Sequence, residues 1–230
     1  AALNIRKPHL AINASKLIEI NKLTPCEINF IKVNNSNIEW QGNYHKTYNK
    51  SIVYNENRNN KIVDLAIQSV KNGRVPLILI SKIKHGKILL NKIKEKMEKE
   101  NIKIEDKLIP NEKNNWDCVS TVEFVHGNDD LLKRESVFKS VKEGFTKILI
   151  GSTIADEGLD LPILDTLILA GAGKSSTRAF QRVGRVLRLY DKKEKAIVYD
   201  FMDMQDTFYK QYLYRKALYK TEPLWKINHI

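Results

Sequence analysis

Short, mainly apolar runs recur along this chain, and stretches of helical periodicity separate them. The runs are VPLILI at 75–80, ILI at 148–150 and LDTLIL at 164–169. Each is too short for a core helix and too evenly apolar for a strand wetted on one face, so each reads as a strand buried on both faces. Between them, 57–72 turns Ile62, Leu65, Ala66 and Val70 to one side and stops at Gly73. A lysine-rich helix ending near Glu100 does the same with Leu89, Ile93 and Met97. A third helix, 130–143, buries Leu131, Phe138 and Val141, with Asp129 placed to cap it. Strands alternating with helices imply an α/β fold, a mostly parallel sheet with helices on both faces.

The remaining segments fill out this plan. EINFIKV at 27–33 is a first strand, 118–125 another, and 195–201 the last, before a final helix at 206–220. Residues 44–54 form a short helix whose Tyr44 and Tyr48 pack inward. Residues 1–25 are irregular. Residues 101–117 exceed an ordinary helix–strand connection and read as a surface hairpin or a loop, with Trp116 as a packing anchor. A wedge between nucleic-acid strands is the second reading of Trp116.

Composition narrows the partners. Lys and Arg outnumber Asp and Glu by 39 to 27, a formal charge of +12, which favours a polyanion, nucleic acid before membrane. Two cysteines, Cys26 and Cys118, lie far apart without metal-ligand spacing and read as reduced, partly buried thiols; no metal site is expected. No apolar run approaches the ~18 residues of a bilayer span. The first ten residues lack a signal-peptide pattern. The expected location is cytoplasmic, in a bacterial or phage-infected cell, or otherwise intracellular.

In a parallel sheet the working loops lie at the carboxyl ends of the strands. Ser81-Lys82, His126-Gly127 and Ser152-Thr153 each follow a strand, so they should line one edge. Ser175-Ser176 then offers an N-cap to a helix carrying Gln181, Arg182, Arg185 and Arg188. Arginines three apart share roughly one side of a helix, which suits phosphate oxygens better than a core.

Two features imitate an ATP site. AGAGKS at 170–175 follows an apolar strand, but a phosphate loop needs glycine five positions before Gly173, where Ile168 stands. Asp156-Glu157 could hold Mg²⁺, yet the pair is followed by Gly158-Leu159 in a loop of another kind.

GSTIADEGLDLP at 151–162 resembles motif V of superfamily 2 helicases, and QRVGRVLR at 181–188 resembles their motif VI. VPLILI matches motif IV in position, and the progression HGND…R…F…G…ILI is similar to the second domain of such helicases. The resemblance implies a RecA-like fold of the P-loop NTPase type. Glu157 and Gln181 stand where the DEAD-box branch has arginine and histidine, so the chain looks nearer to phage branch-migration and XPB-like DNA helicases.

That resemblance carries expectations. Arg185 and Arg188 would be arginine fingers; Asp160, Gly158, Gln181 and Arg182 would bind nucleotide or couple domains; Ser81, Lys82, Gly127, Ser152 and Thr153 would hold a strand by its phosphates. ATP and Mg²⁺ would be bound mainly by a first RecA-like domain carrying Walker A and Walker B, which is missing from this sequence, so this chain alone would be inactive. Residues 1–25 would lead in from that domain, 26–205 would form the second motor domain with 101–117 inserted, and 206–230 would be a helical tail. The substrate would be branched or duplex DNA rather than RNA, in recombination, repair or replication. The alternative is a stand-alone nucleic-acid-binding module that kept the fold without ATPase activity.

Overall fold

The computed structural model describes residues 14–111, 115–152, 160–171, 173, 183–191 and 193–230. Its centre is a seven-stranded sheet. The strands are β1 (Cys26–Val33), β2 (Pro76–Leu79), β5 (Val122–Val125), β6 (Ile148–Gly151), β7 (Thr166–Leu169), β8 (Ala196–Asp203) and β9 (Lys226–His229). They lie in the order β5-β6-β2-β7-β8-β1-β9, and every neighbouring pair is parallel.

Alternation along the strands divides the core into two layers. Leu77, Leu79, Leu149, Leu167 and Leu169 face one side; Ile78, Ile80, Ile148, Ile150 and Ile168 face the other. Helices α3 (Glu56–Lys71) and α4 (Ile83–Lys99) cover the isoleucine side. Leu89, Ile93 and Met97, four apart on α4, are each fully buried there. Helix α5 (Leu131–Lys142), helix α6 (described over 183–186) and helix α7 (Asp206–Tyr219) cover the leucine side through Val137, Val141, Val183, Val186, Tyr212 and Tyr219. Each such side chain contributes about 1.5–3 kcal/mol by leaving water.

Several boundaries differ from expectation. The strand expected at 118–125 is two strands broken at Thr121. Strand β4 (Trp116–Ser120) pairs antiparallel with β3 (Asp106–Pro110) in a separate ribbon, so 101–117 does build a hairpin. At the break Thr121 donates its N–H to Glu105 and accepts from Lys147, serving ribbon and sheet at once. Trp116 is 64% exposed and is not a packing anchor; Cys118 is exposed as well. Asp130, not Asp129, caps α5, because the Asp129 carboxylate already accepts the His126 N–H (2.7 Å). Leu131, on the outward side of the first turn of α5, is exposed rather than buried.

The chain ends differ too. Helix α1 (Ala14–Glu19) forms where irregular chain was expected. Its first N–H groups and the Ser15 hydroxyl donate to Glu222, far along the sequence. Strand β8 is not the last: β9 follows α7 and adds to the sheet beside β1, so the segment after 206 is more than a helical tail. KINH, half polar and four residues long, has no strand signature of its own; the β1 edge supplies its hydrogen bonds. Helix α2 (Tyr44–Tyr48) runs into a π-helical turn at Asn49–Val53, with Tyr44 and Tyr48 packed on Phe208 as expected.

Candidate nucleotide and nucleic-acid interface

Four adjacent strands, β5, β6, β2 and β7, end at one edge. Their last bonds hold the loops in line: Ser152 N–H to Val125 O (3.1 Å), Ile80 N–H to Gly151 O (2.9 Å) and Gly171 N–H to Leu79 O (2.9 Å). Ser81, Ser152 and Gly127 therefore come together at the carboxyl edge. A Cβ on Gly171 would stand 2.4 Å from Ser81 Oγ and 3.1 Å from Ser81 N, so glycine there allows the loops after β2 and β7 to close on each other. Lys82 does not reach outward: its ammonium donates to Asn49 Oδ1 (2.8 Å) and lies over the Tyr48 ring.

Val183, Val186 and Leu187 are wholly buried, which docks the motif VI helix by one side. Within the helix Arg185 is half-buried, whereas Arg188, expected on the same helix, lies two residues past its last helical residue, Val186, and is exposed. The Arg188 guanidinium is ion-paired with the Asp160 carboxylate, so the expected finger and the expected coupling residue meet directly. Neither is in the interior. The end of the helix is anchored behind them: Thr24 N–H donates to Leu187 O (2.8 Å), and Lys193 Nζ donates to the carbonyls of Arg188 (2.9 Å), Leu164 (2.7 Å) and Pro162 (3.0 Å). Burial pushes the Lys193 ammonium down to about 8. Thr153, Gly158, Gln181 and Arg182 lie outside the described residues.

Sequence reasoning missed a buried ionic layer under this edge. Arg58 on α3 pairs with Asp203 at the end of β8, donates to Ala170 O (2.6 Å) and stacks on Phe201. Asn35 joins by donating to Asp203 (3.3 Å) and accepting from Gln205 N–H (2.9 Å). On the other side of the sheet Arg215 grips Asp200 with two bonds of 2.8 Å and donates to Gly173 O (3.1 Å). Tyr219 OH also donates to Asp200 (3.0 Å). Two arginines thus hold the backbone on either side of position 172. An arginine on an otherwise amphipathic helix and an aspartate closing an apolar strand were the available signals.

Among the described residues no three His, Cys, Asp or Glu side chains cluster as a metal site. The donor set that is present, an outward guanidinium satisfied by a carboxylate, suits phosphate oxygens.

A parallel sheet of this order, with the motif V segment entering at the end of β6 and the last residues of motif VI held beside the starts of β1 and β7, has the RecA-like fold of a helicase C-terminal domain. The model of the helicase conserved C-terminal domain matches residues 57–190, more than half of the chain, and the chain belongs to that family. The ATP-dependent DNA helicase uvsW of Enterobacteria phage T4 is 25% identical over 197 residues, covering 84% of this chain and 35% of that protein. The DNA 3'-5' translocase XPB2 of Sulfurisphaera tokodaii is 33% identical over 61 residues (26% of this chain, 14% of the relative). A putative ATP-dependent RNA helicase L396 of Acanthamoeba polyphaga mimivirus is 38% identical over 102 residues (42% and 18%). The crystal structure of T4 UvsW superimposes with a TM-score of 0.63 at 20% identity, covering 90% of this chain and 41% of that one. Matches span from 10% to 35% of the relatives' own lengths. The resemblance to superfamily 2, with phage and XPB-like relatives, holds.

Proposed function

We propose that this chain is the second motor domain of an ATP-dependent DNA helicase or translocase, acting on branched or duplex DNA in recombination, repair or replication. The observation that carries it is the exposed Arg188–Asp160 pair just past the end of a docked helix. Phosphoryl transfer is accelerated mainly by positioning and by neutralising charge on the γ-phosphate. An arginine delivered across a domain cleft contributes ~10³–10⁵ in rate. In this reading Arg188 is such a finger and Arg185 a second, while Asp160, its partner in an exposed ion pair, orients the guanidinium until phosphate oxygens take over. Gly158, Gln181 and Arg182 complete the nucleotide side. Ser81, Gly127, Ser152 and Thr153 form the track for a strand, bound through its phosphates regardless of sequence, while Lys82, turned to Asn49, stays out of it.

ATP and Mg²⁺ belong chiefly to a partner RecA-like domain with Walker A and Walker B. The bound metal would neutralise phosphate charge there; this chain supplies guanidinium donors and the strand track. The preference for DNA over RNA rests on the uvsW and XPB2 likenesses.

The test joins the chain to a Walker-bearing first domain. The chain alone should hydrolyse ATP negligibly and the joined protein measurably. Arg188→Ala in the joined protein should lower kcat about 10³-fold while leaving DNA affinity intact. Unchanged hydrolysis would refute the finger role.

A further inference from the structure

The Arg188–Asp160 ion pair is exposed, and an exposed ion pair by itself fixes neither partner firmly. Whatever aims the two side chains must therefore hold the backbone beneath them. Arg188 lies past the last helical residue of α6, so its carbonyl is beyond the helix ladder. Two side chains take that carbonyl instead: Lys193 Nζ donates to it (2.9 Å), and so does Thr24 Oγ1 (3.3 Å).

Asp160 hangs from a tight segment. Leu161 and Leu164 are buried in the core, and Leu164 N–H donates to Leu161 O (3.1 Å), with Pro162 between them. The carbonyls of Pro162 (3.0 Å) and Leu164 (2.7 Å) accept from the same Lys193 Nζ. One ammonium thus joins the backbone carrying Arg188 to the backbone carrying Asp160. An ammonium has three N–H donors, and here three carbonyls use them all. It keeps none for a phosphate, so its effect on one must pass through another group.

We propose that Lys193 is a positioning residue for phosphoryl transfer: it locks the end of motif V to the end of motif VI in the register at which Arg188 meets Asp160 and can reach phosphate. The proposal rests on the finger reading of Arg188. It assigns the aim of that finger to a residue outside both motifs, which acts through Arg188 and touches no nucleotide.

The experiment measures steady-state ATP hydrolysis by the full chain joined to a Walker-bearing first domain, with Tm followed alongside. Lys193→Met keeps most of the stem and removes the donors. It should lower kcat about tenfold or more while KM for ATP stays unchanged, since a small misplacement of a catalytic group is costly. In a protein already carrying Arg188→Ala, the same change should cost less than about twofold, because the group that Lys193 aims is gone. Equal losses with and without Arg188 make Lys193 a part of the fold only and overturn the proposal. Lys193→Arg keeps the charge but spreads its donors in one plane, so it should not restore the rate; full restoration assigns the effect to charge and overturns positioning. Should Lys193→Met fail to fold, Lys193→Gln, which retains an N–H donor group, is read by the same comparison. Wild-type kcat in Lys193→Met, beside a large loss in Arg188→Ala, overturns the proposal and leaves the finger reading standing. Wild-type turnover in Arg188→Ala, or no hydrolysis by the joined wild type, removes the finger reading and this proposal with it.

Discussion

Arg58 and Asp203, 145 residues apart, form an ion pair of 3.0 Å in which each side chain is 1% exposed. The pair sits beneath the carboxyl edge and spans α3 and β8. Arg58 also donates through Nη1 to Ala170 O, at the mouth of the loop that leads toward motif VI. A buried pair of this kind is weak evidence of net stabilisation, since both ions lose their water. Its value here is placement: the aspartate, the helix and the loop entrance can satisfy one another in one arrangement only.

Removing one partner exposes that dependence. Arg58→Met should destabilise the chain by about 3–5 kcal/mol, because the Asp203 carboxylate would remain buried without its cation. Urea unfolding followed by circular dichroism measures it. Adding Asp203→Asn to that variant should recover part of the loss.

His85 lies in the same layer, wholly buried, with Nε2 2.8 Å from Asn59 Oδ1. Burial, aided by the Arg58 charge, pushes its pKa from 6.5 down to about 3. Below pH 6.5 the unfolded chain takes up a proton that the folded chain refuses. Stability from this site is therefore full above the unfolded value and falls as pH drops toward the folded one, by at most about 1.4 kcal/mol per pH unit. His85→Gln should flatten the acid limb of a stability–pH profile in that window. An unchanged limb would contradict the assignment.

Gly171 and Ser81 should be coupled. Gly171→Ala puts a methyl against Ser81 Oγ and should cost about 1–3 kcal/mol by forcing the two loops apart. Ser81→Ala removes the nearer obstacle, so the double variant should lose less than the sum. A double-mutant cycle in urea reads the coupling, expected at about 0.5–1.5 kcal/mol.

Asp160→Asn should separate function from folding. The ion pair with Arg188 is largely in water, with side chains 71% and 43% exposed, so breaking it should change stability by no more than about 1 kcal/mol. In the joined two-domain protein it should lower ATP turnover while Tm stays nearly constant. A drop in Tm that accounts for lost activity would make the pair structural.

The legible parts were those with local causes. The central strands stood out because burial on both faces demands consecutive apolar residues, and α3 and α4 because one buried face demands helical spacing. The break at Thr121 was hidden, since CVSTVEFV reads locally as one strand; the division depends on Glu105 and Lys147 claiming Thr121's backbone. Strand β9 was hidden for the same reason, as its pairing partner lies two hundred residues earlier.

The amino-acid order alone determined the parallel α/β plan, the carboxyl-edge placement of Ser81, Gly127 and Ser152, and the arginine spacing of motif VI, because periodicity and strand ends are short-range properties. Tertiary structure decided which charges went inside. Arg58 and Arg215 are buried while Arg188 meets Asp160 at the surface. A guanidinium is buried only where carboxylates and carbonyls from distant segments converge to replace its water, and no local stretch of sequence records that convergence.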